Sequence, residues 1–328
     1  MTNLFLDANI LLDFYRFGAD DLMEVRKLKT LIDDSEVVLH TNSLLKDEVL
    51  RSRDAEVVTS LESLKSSTFG FKPPNYCSGM EELDGLLSTL KLVNQQHKDL
   101  ITALQSKIES NSLEADLLIK DLFDSASNVE IDADLIAKAQ LRQMMNNPPR
   151  KRKDSIGDSL HWEALLDLDQ VYDFHIVSRD GDFASELTPS KLKDFLCAEW
   201  AKKHGANRKI ELHKSLGDFF RRKFPHIRLS EETEKNALIS QLLYSPNFAT
   251  THDVIERLCK FEYFTNGQVA RAFQALVENS QVNWIATDND VKDFYIGLKD
   301  RSSSVPFEYH TQIAEHLGVD ENDFFLPF

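Results

Sequence analysis

A chain of 328 residues is long enough for about two domains. Hydrophobic residues make up 42% and charged residues 28%, which excludes a disordered chain, and no apolar run approaches the ~20 residues that span a bilayer. Net charge is -16, which taken alone opposes nucleic-acid binding. The start carries Asp7 and Asp13 and lacks a basic region, unlike a signal peptide. Cys77, Cys197 and Cys259 are scattered and odd in number, so neither a disulfide framework nor a zinc spacing is expected. These features point to a cytoplasmic protein away from membranes. The charge is also uneven. Residues 202–228 carry nine Lys/Arg and two acids, and Arg150, Lys151, Arg152 and Lys153 follow Pro148 and Pro149. Each basic segment reads either as a phosphate-binding face or as solvated surface.

Residues 3–7 read as a strand ending on Asp7, followed by helical pattern to about residue 33. Residues 36–40 read as a second strand, and Asn42 or Ser43 can cap a helix over 44–52. This βαβα opening predicts a parallel sheet. Over about 54–145 strand signals disappear. Leu83, Leu87, Leu90, Asn94, His97, Ile101, Leu104 and Ile108 form a heptad-like seam, with further helical pieces at 113–123 and 131–145. The seam is expected to pack within the chain in preference to dimerising, with His97 as a packing residue. The α/β pattern resumes after Pro149 with a helix over 156–168, a strand over 171–178 and a helix over 190–203. A short strand over 209–213 follows, then a helix over 215–224 stopped by Pro225. Beyond 229 the pattern is mainly helical, with a capping-box spacing at Thr265–Gln268 and a short strand candidate over 282–286. Helices near 253–261, 266–279 and 288–298 resemble a helix-turn-helix bundle, a pattern that ordinary helical domains share. The expected organisation is an α/β domain over 1–228, with a helical insertion at about 54–147, and a mainly helical domain of unassigned role over 229–328.

Five acids fall at telling places: Asp7 after the first strand, Glu48 in the helix after the second, Asp158 at a helix start, and Asp180 and Asp182 after a later strand. In a parallel sheet, ligands collect beyond the carboxyl ends of the strands. Carboxylates gathered there repel unless a cation neutralises them, and oxygen-only donors suit Mg²⁺ or Mn²⁺. Each acid also has a plainer reading. Asp7 can cap the next helix, Glu48 can be a surface acid, Asp158 can complete a capping box with Ser155, and 180–182 can be a turn.

The ordered blocks Leu6-Asp7-Ala8-Asn9, Asp47-Glu48-Val49, Gly157-Asp158-Ser159-Leu160 and Val177-Ser178-Arg179-Asp180-Gly181-Asp182-Phe183 resemble the PIN domain family over about residues 1–215. The stretch 153–163 is similar to the PIN-like subgroup with a long helical insertion. Two acids stand in the closing block where the family presents one essential acid. Asp180 is favoured because it sits nearer the strand end. The resemblance implies a Rossmann-like α/β/α fold and a metal-dependent ribonuclease. Asp7, Glu48, Asp158 and Asp180, with Asp182 secondary, would hold one or two Mg²⁺ or Mn²⁺ ions for water attack on an RNA phosphodiester. Asn9 and Ser178 would orient the acids, and Arg150, Lys151, Arg152, Lys153 and Arg179 would meet phosphates. His161 is read as either a substrate contact or a packing residue, and Trp162 as either a base-stacking or a buried side chain. By analogy the setting is a toxin or prokaryotic defence effector, with an inhibitory or defence-system protein partner, and a homo-oligomer is left open. The competing readings are a noncatalytic PIN-like scaffold for RNA or protein, a DNA nuclease or phosphatase on the same acids, and a helical interaction protein.

Overall fold

The computed structural model describes residues 2–16, 19–149, 156–169 and 173–325, without the side chains of 19–21. The run Arg150–Lys153 and Ser155 lie outside these residues. The sheet has five parallel strands: β1 (Thr2–Leu6), β2 (Val37–Asn42), β3 (Ser127–Val129), β4 (Asp173–Val177) and β5 (Ile210–His213), in the order β3-β2-β1-β4-β5. Leu4, Phe5, Leu6, Phe174, Ile176 and Val177 are almost completely buried. Central parallel strands are covered on both faces, so they read as near-continuous apolar runs.

Helices α1 (Ala8–Leu12) and α2 (Ala19–Asp33) join β1 to β2. Helix α3 (Ser43–Ser66) is far longer than the expected 44–52, and its Asn42 cap accepts the Leu45 amide at 2.9 Å. Helix α4 (Glu81–Glu109) folds back along α3. The seam residues are all half-buried, with Val93 beside them, and His97 hydrogen-bonds the Leu64 carbonyl at 3.1 Å, so the seam packs within the chain. Helix α5 (Glu114–Ser125) then rejoins the main core through Ala115, Ile119 and Leu122. It leads into β3, an edge strand inside a span expected to be helical throughout. Three residues, of which only Val129 is half-buried, leave too little pattern to see from the sequence.

Helix α6 (Ala133–Met144) packs on α7 (Gly157–Leu166), and α8 (Asp194–His204) and α9 (Leu216–Lys223) flank β5 in the chain. One core runs from Leu4 to Ile227 around the sheet. A second gathers Leu238 to Phe324, built on α10 (Leu229–Leu243), α11 (Phe248–Leu258), α12 (Asn266–Glu278) and later helices. The Thr265–Gln268 capping box is formed in both directions. The strand candidate at 282–286 is instead a helical turn, Ser280–Asn283, started by the Asn279 side chain accepting the Gln281 amide. No helix among the described residues is long and apolar enough to cross a membrane.

Candidate metal centre

Strands β1 and β4 run side by side and in register, Leu6 opposite Val177, so their carboxyl ends release Asp7 and Ser178 at the same edge. The Asp7 amide donates to the Val177 carbonyl at 3.0 Å, and the Ser178 amide to the His213 carbonyl at 3.0 Å. Asp7 stands at the helix N-cap position but makes no side-chain cap bond. Its Oδ2 instead accepts the Ser178 hydroxyl at 2.5 Å and the Asn9 amide at 2.7 Å. Both donors take one oxygen, which fixes the carboxylate and leaves Oδ1 for a cation. The Ser178 hydroxyl also accepts the Asp180 amide at 3.1 Å, tying the start of the next loop to the same point.

Glu48 enters from the second turn of α3. The His161 Nε2 atom lies 3.6 Å from Glu48 Oε2. Asn42 decides the tautomer of that ring. Its Oδ1 is taken by the Leu45 amide, so its Nδ2 donates to His161 Nδ1 at 3.1 Å, and Nε2 carries the proton facing Glu48. Asp158 is buried in the first turn of α7, where the helix dipole favours a negative charge. It lies three residues before His161, on the same helix face. Asp182 is half-buried in the loop after β4.

Electrostatics connect these groups. Burial raises the Asp7 carboxyl above its ordinary range, the Ser178 hydrogen bond opposes this, and the charges of Asp180 and Glu48 raise it further. His161 acts in the lowering direction. Asp7 is therefore within electrostatic reach of Asp180, Glu48 and His161. His161 was ambiguous in the sequence, and the structure puts it against Glu48, almost fully buried, in electrostatic reach of Asp7. Its spacing of three from Asp158 was the available signal.

No three of the five acids bring ligand atoms within 4.8 Å of one another among the described residues. Asp7, Asp180 and Glu48 are an open group of oxygen donors, not a closed cage. That fits Mg²⁺ or Mn²⁺, hard ions that keep several waters and need few carboxylates each. The raised Asp7 carboxyl fits as well, because a dication would remove the cost of burying its charge beside two other acids.

A cleft of about 320 Å³ beside this edge is lined by Asp13, Arg16, Arg179, Lys214 and Ser215. Arg179 points one guanidinium nitrogen at Asp13 and at the Asn9 carbonyl, so the arginine expected to meet phosphate is held by an acid at the rim. Arg16 pairs with Asp13 at 2.9 Å and with Glu56 at 2.7 Å. Lys214 donates to the Asp180 carbonyl at 3.4 Å. Trp162 is fully buried against Phe183 and Trp200, with its Nε1 donating to Glu199 at 3.0 Å, so it stacks on the core.

The PIN domain family model matches residues 4–183, more than half of the chain, from β1 past β4 and across all five acids. No curated protein and no solved structure matches it. The chain therefore belongs to the PIN domain family, whose members are typically metal-dependent nucleases.

Proposed function

We propose that this protein is a metal-dependent endoribonuclease in which residues 1–228 form the catalytic unit. The observation that carries the reading is the electrostatic grouping of Asp7, Asp180 and Glu48 at the carboxyl edge of β1 and β4, with Asp7 held on one oxygen by Ser178 and Asn9. Asp7, Glu48, Asp158 and Asp180 would hold Mg²⁺ or Mn²⁺, with Asp182 in reserve. When bound, the ion supplies an acidified water and charge stabilisation at a phosphate oxygen. The protein's own groups do the rest. Ser178 and Asn9 keep Asp7 in one rotamer, so the carboxylate does not reorganise during reaction. His161, with Nε2 at 3.6 Å from Glu48 Oε2, would help position that carboxylate. Arg16, Arg179 and Lys214 offer the cleft positive charge, and a phosphate would compete with Asp13 for the two guanidinium groups. Arg150, Lys151, Arg152 and Lys153 lie a few residues before α7 in the sequence and would add charge for RNA phosphates.

Asp7→Asn tests the reading. Cleavage of single-stranded RNA in Mg²⁺ or Mn²⁺ is expected to vanish, while thermal stability in chelator stays equal or rises, because one buried charge and its repulsions are gone. Retained cleavage by this variant removes the nuclease assignment. Parallel assays on single-stranded DNA and a phosphomonoester separate the ribonuclease from a DNA nuclease or phosphatase. A toxin or defence role extends the same reading. It predicts growth arrest on induction, which Asp7→Asn relieves.

A further inference from the structure

On the same sheet, a second group of donors is assembled that the acidic edge does not use. His175 lies opposite Glu211 in the β4–β5 register, and Val177 lies opposite His213, so all three side chains share one face. One potential ligand atom from each of His175, Glu211 and His213 falls within 4.8 Å of the other two. The nearest pair is His175 Nδ1 and His213 Nε2, 2.9 Å apart. Two nitrogens bound to a tetrahedral Zn²⁺ at 2.0–2.1 Å stand roughly 3.3 Å apart. The rings therefore need to open by only a few tenths of an ångström.

The surroundings also fit a ligating pair. The far nitrogen of His213, Nδ1, lies 3.6 Å from Asp218 Oδ2, just beyond hydrogen-bond distance. A carboxylate behind the imidazole is the usual partner that fixes the tautomer of a metal-bound histidine. Asp218 is itself held, by the Arg222 Nε at 3.1 Å and by its amide donating to the Ser215 hydroxyl at 3.1 Å. Phe219 closes over both rings, with centroids 5.4 Å from each. His175 is 3% exposed, and its outer nitrogen, Nε2, has no hydrogen-bond partner, so its polar contact is made on the His213 side alone. Glu211 is exposed and free to swing inward from the strand edge.

We propose that His175, Glu211 and His213 form a second cation site, selective for a borderline transition ion such as Zn²⁺, with a fourth position left for water. Two imidazoles and one carboxylate favour Zn²⁺ over Mg²⁺, whereas the oxygen-only edge favours Mg²⁺, so the two sites sort ions by donor type. The site joins β4 to β5 beneath α9. Through the His213 carbonyl, which accepts the Ser178 amide, it also braces the strand end that presents Ser178 to Asp7.

The test uses the full chain, stripped with chelator and held in excess Mg²⁺ to satisfy the acids. ZnCl₂ is titrated in, and the imidazole nitrogens are followed by NMR. Two rings, one through Nδ1 and one through Nε2, are expected to shift and saturate at one equivalent. Glu211→Gln, a change at an exposed position, is expected to weaken that binding at least tenfold while the zinc-free spectrum stays folded. Unchanged rings overturn the proposal, as do shifts confined to other histidines or equal affinity in Glu211→Gln. Each of those outcomes leaves a neutral hydrogen-bonded histidine pair under Phe219, and none bears on the nuclease reading.

Discussion

Ser178 shows how much one hydroxyl can organise. It is completely buried, donates to Asp7 and accepts from the Asp180 amide, so it couples two acids that are 173 positions apart in the chain through a single oxygen. Ser178→Ala frees the Asp7 carboxylate to rotate and unties the following loop. The expected result is a loss of about 10–100-fold in Mg²⁺ affinity or cleavage rate, with the fold intact. The rate measured against Mg²⁺ concentration checks it, and an unchanged profile would show that Asn9 alone suffices to orient Asp7. The pattern around Asp7 was partly legible in the sequence. An acid after an apolar strand could be seen, but whether it capped α1 or faced β4 depended on a partner from the far side of the chain.

At the scale of elements, the sheet carries buried histidines as well as buried acids. His40 on β2 donates from Nε2 to Asn3 Oδ1 at 2.9 Å and lies against Phe174. Burial lowers its pKa from 6.5 to about 4. A histidine with a depressed folded value contributes stability that is present above its unfolded pKa and is lost as pH falls. The loss begins near pH 6.5 and is complete below about 4, amounting to about 3 kcal/mol. Urea unfolding across that range is expected to show a shallower slope in His40→Gln than in the parent. A second tie acts between elements. Arg142 of α6 reaches Glu163 of α7 at 2.6 Å and Glu199 of α8 at 2.9 Å. It pins the end of the inserted span to the helix that carries Asp158 and His161. Helical periodicity marked α6 in the sequence, but nothing local could name its partners.

At the scale of the whole molecule, the helical C-terminal part is clasped to the sheet part at the turn between α2 and β2. The Gly267 amide donates to the Asp34 carbonyl at 2.8 Å, and the Asn266 amide to Glu36 Oε1 at 2.8 Å. Arg271 pairs with Asp34 at 3.0 Å and Arg301 with Glu36 at 3.1 Å. Both acids are buried in the contact. The approach is so close that a Cβ on Gly267 would sit 2.7 Å from the Asp34 Cα, a backbone atom that cannot step aside cheaply. Gly267→Ala is expected to destabilise by about 2 kcal/mol and to loosen the clasp. Thermal unfolding with limited proteolysis checks this, and full parental stability would mean that the two cores can shift without loss.

The sequence by itself determined the parallel sheet, the helical tail and the order of the acids. Those properties are written in short runs: apolar stretches, caps and breakers act over a few residues, and five acids at element ends can be read in order. The tertiary structure alone decided which side chains meet. It turned Asp7 to Ser178, set His161 against Glu48, gave Arg179 to Asp13, drew β3 out of a helical span and laid His175 beside His213. The physical reason is that parallel strands are neighbours in space but distant in the chain. Their register, and so the company each side chain keeps, is fixed by packing of the whole core and by no local pattern.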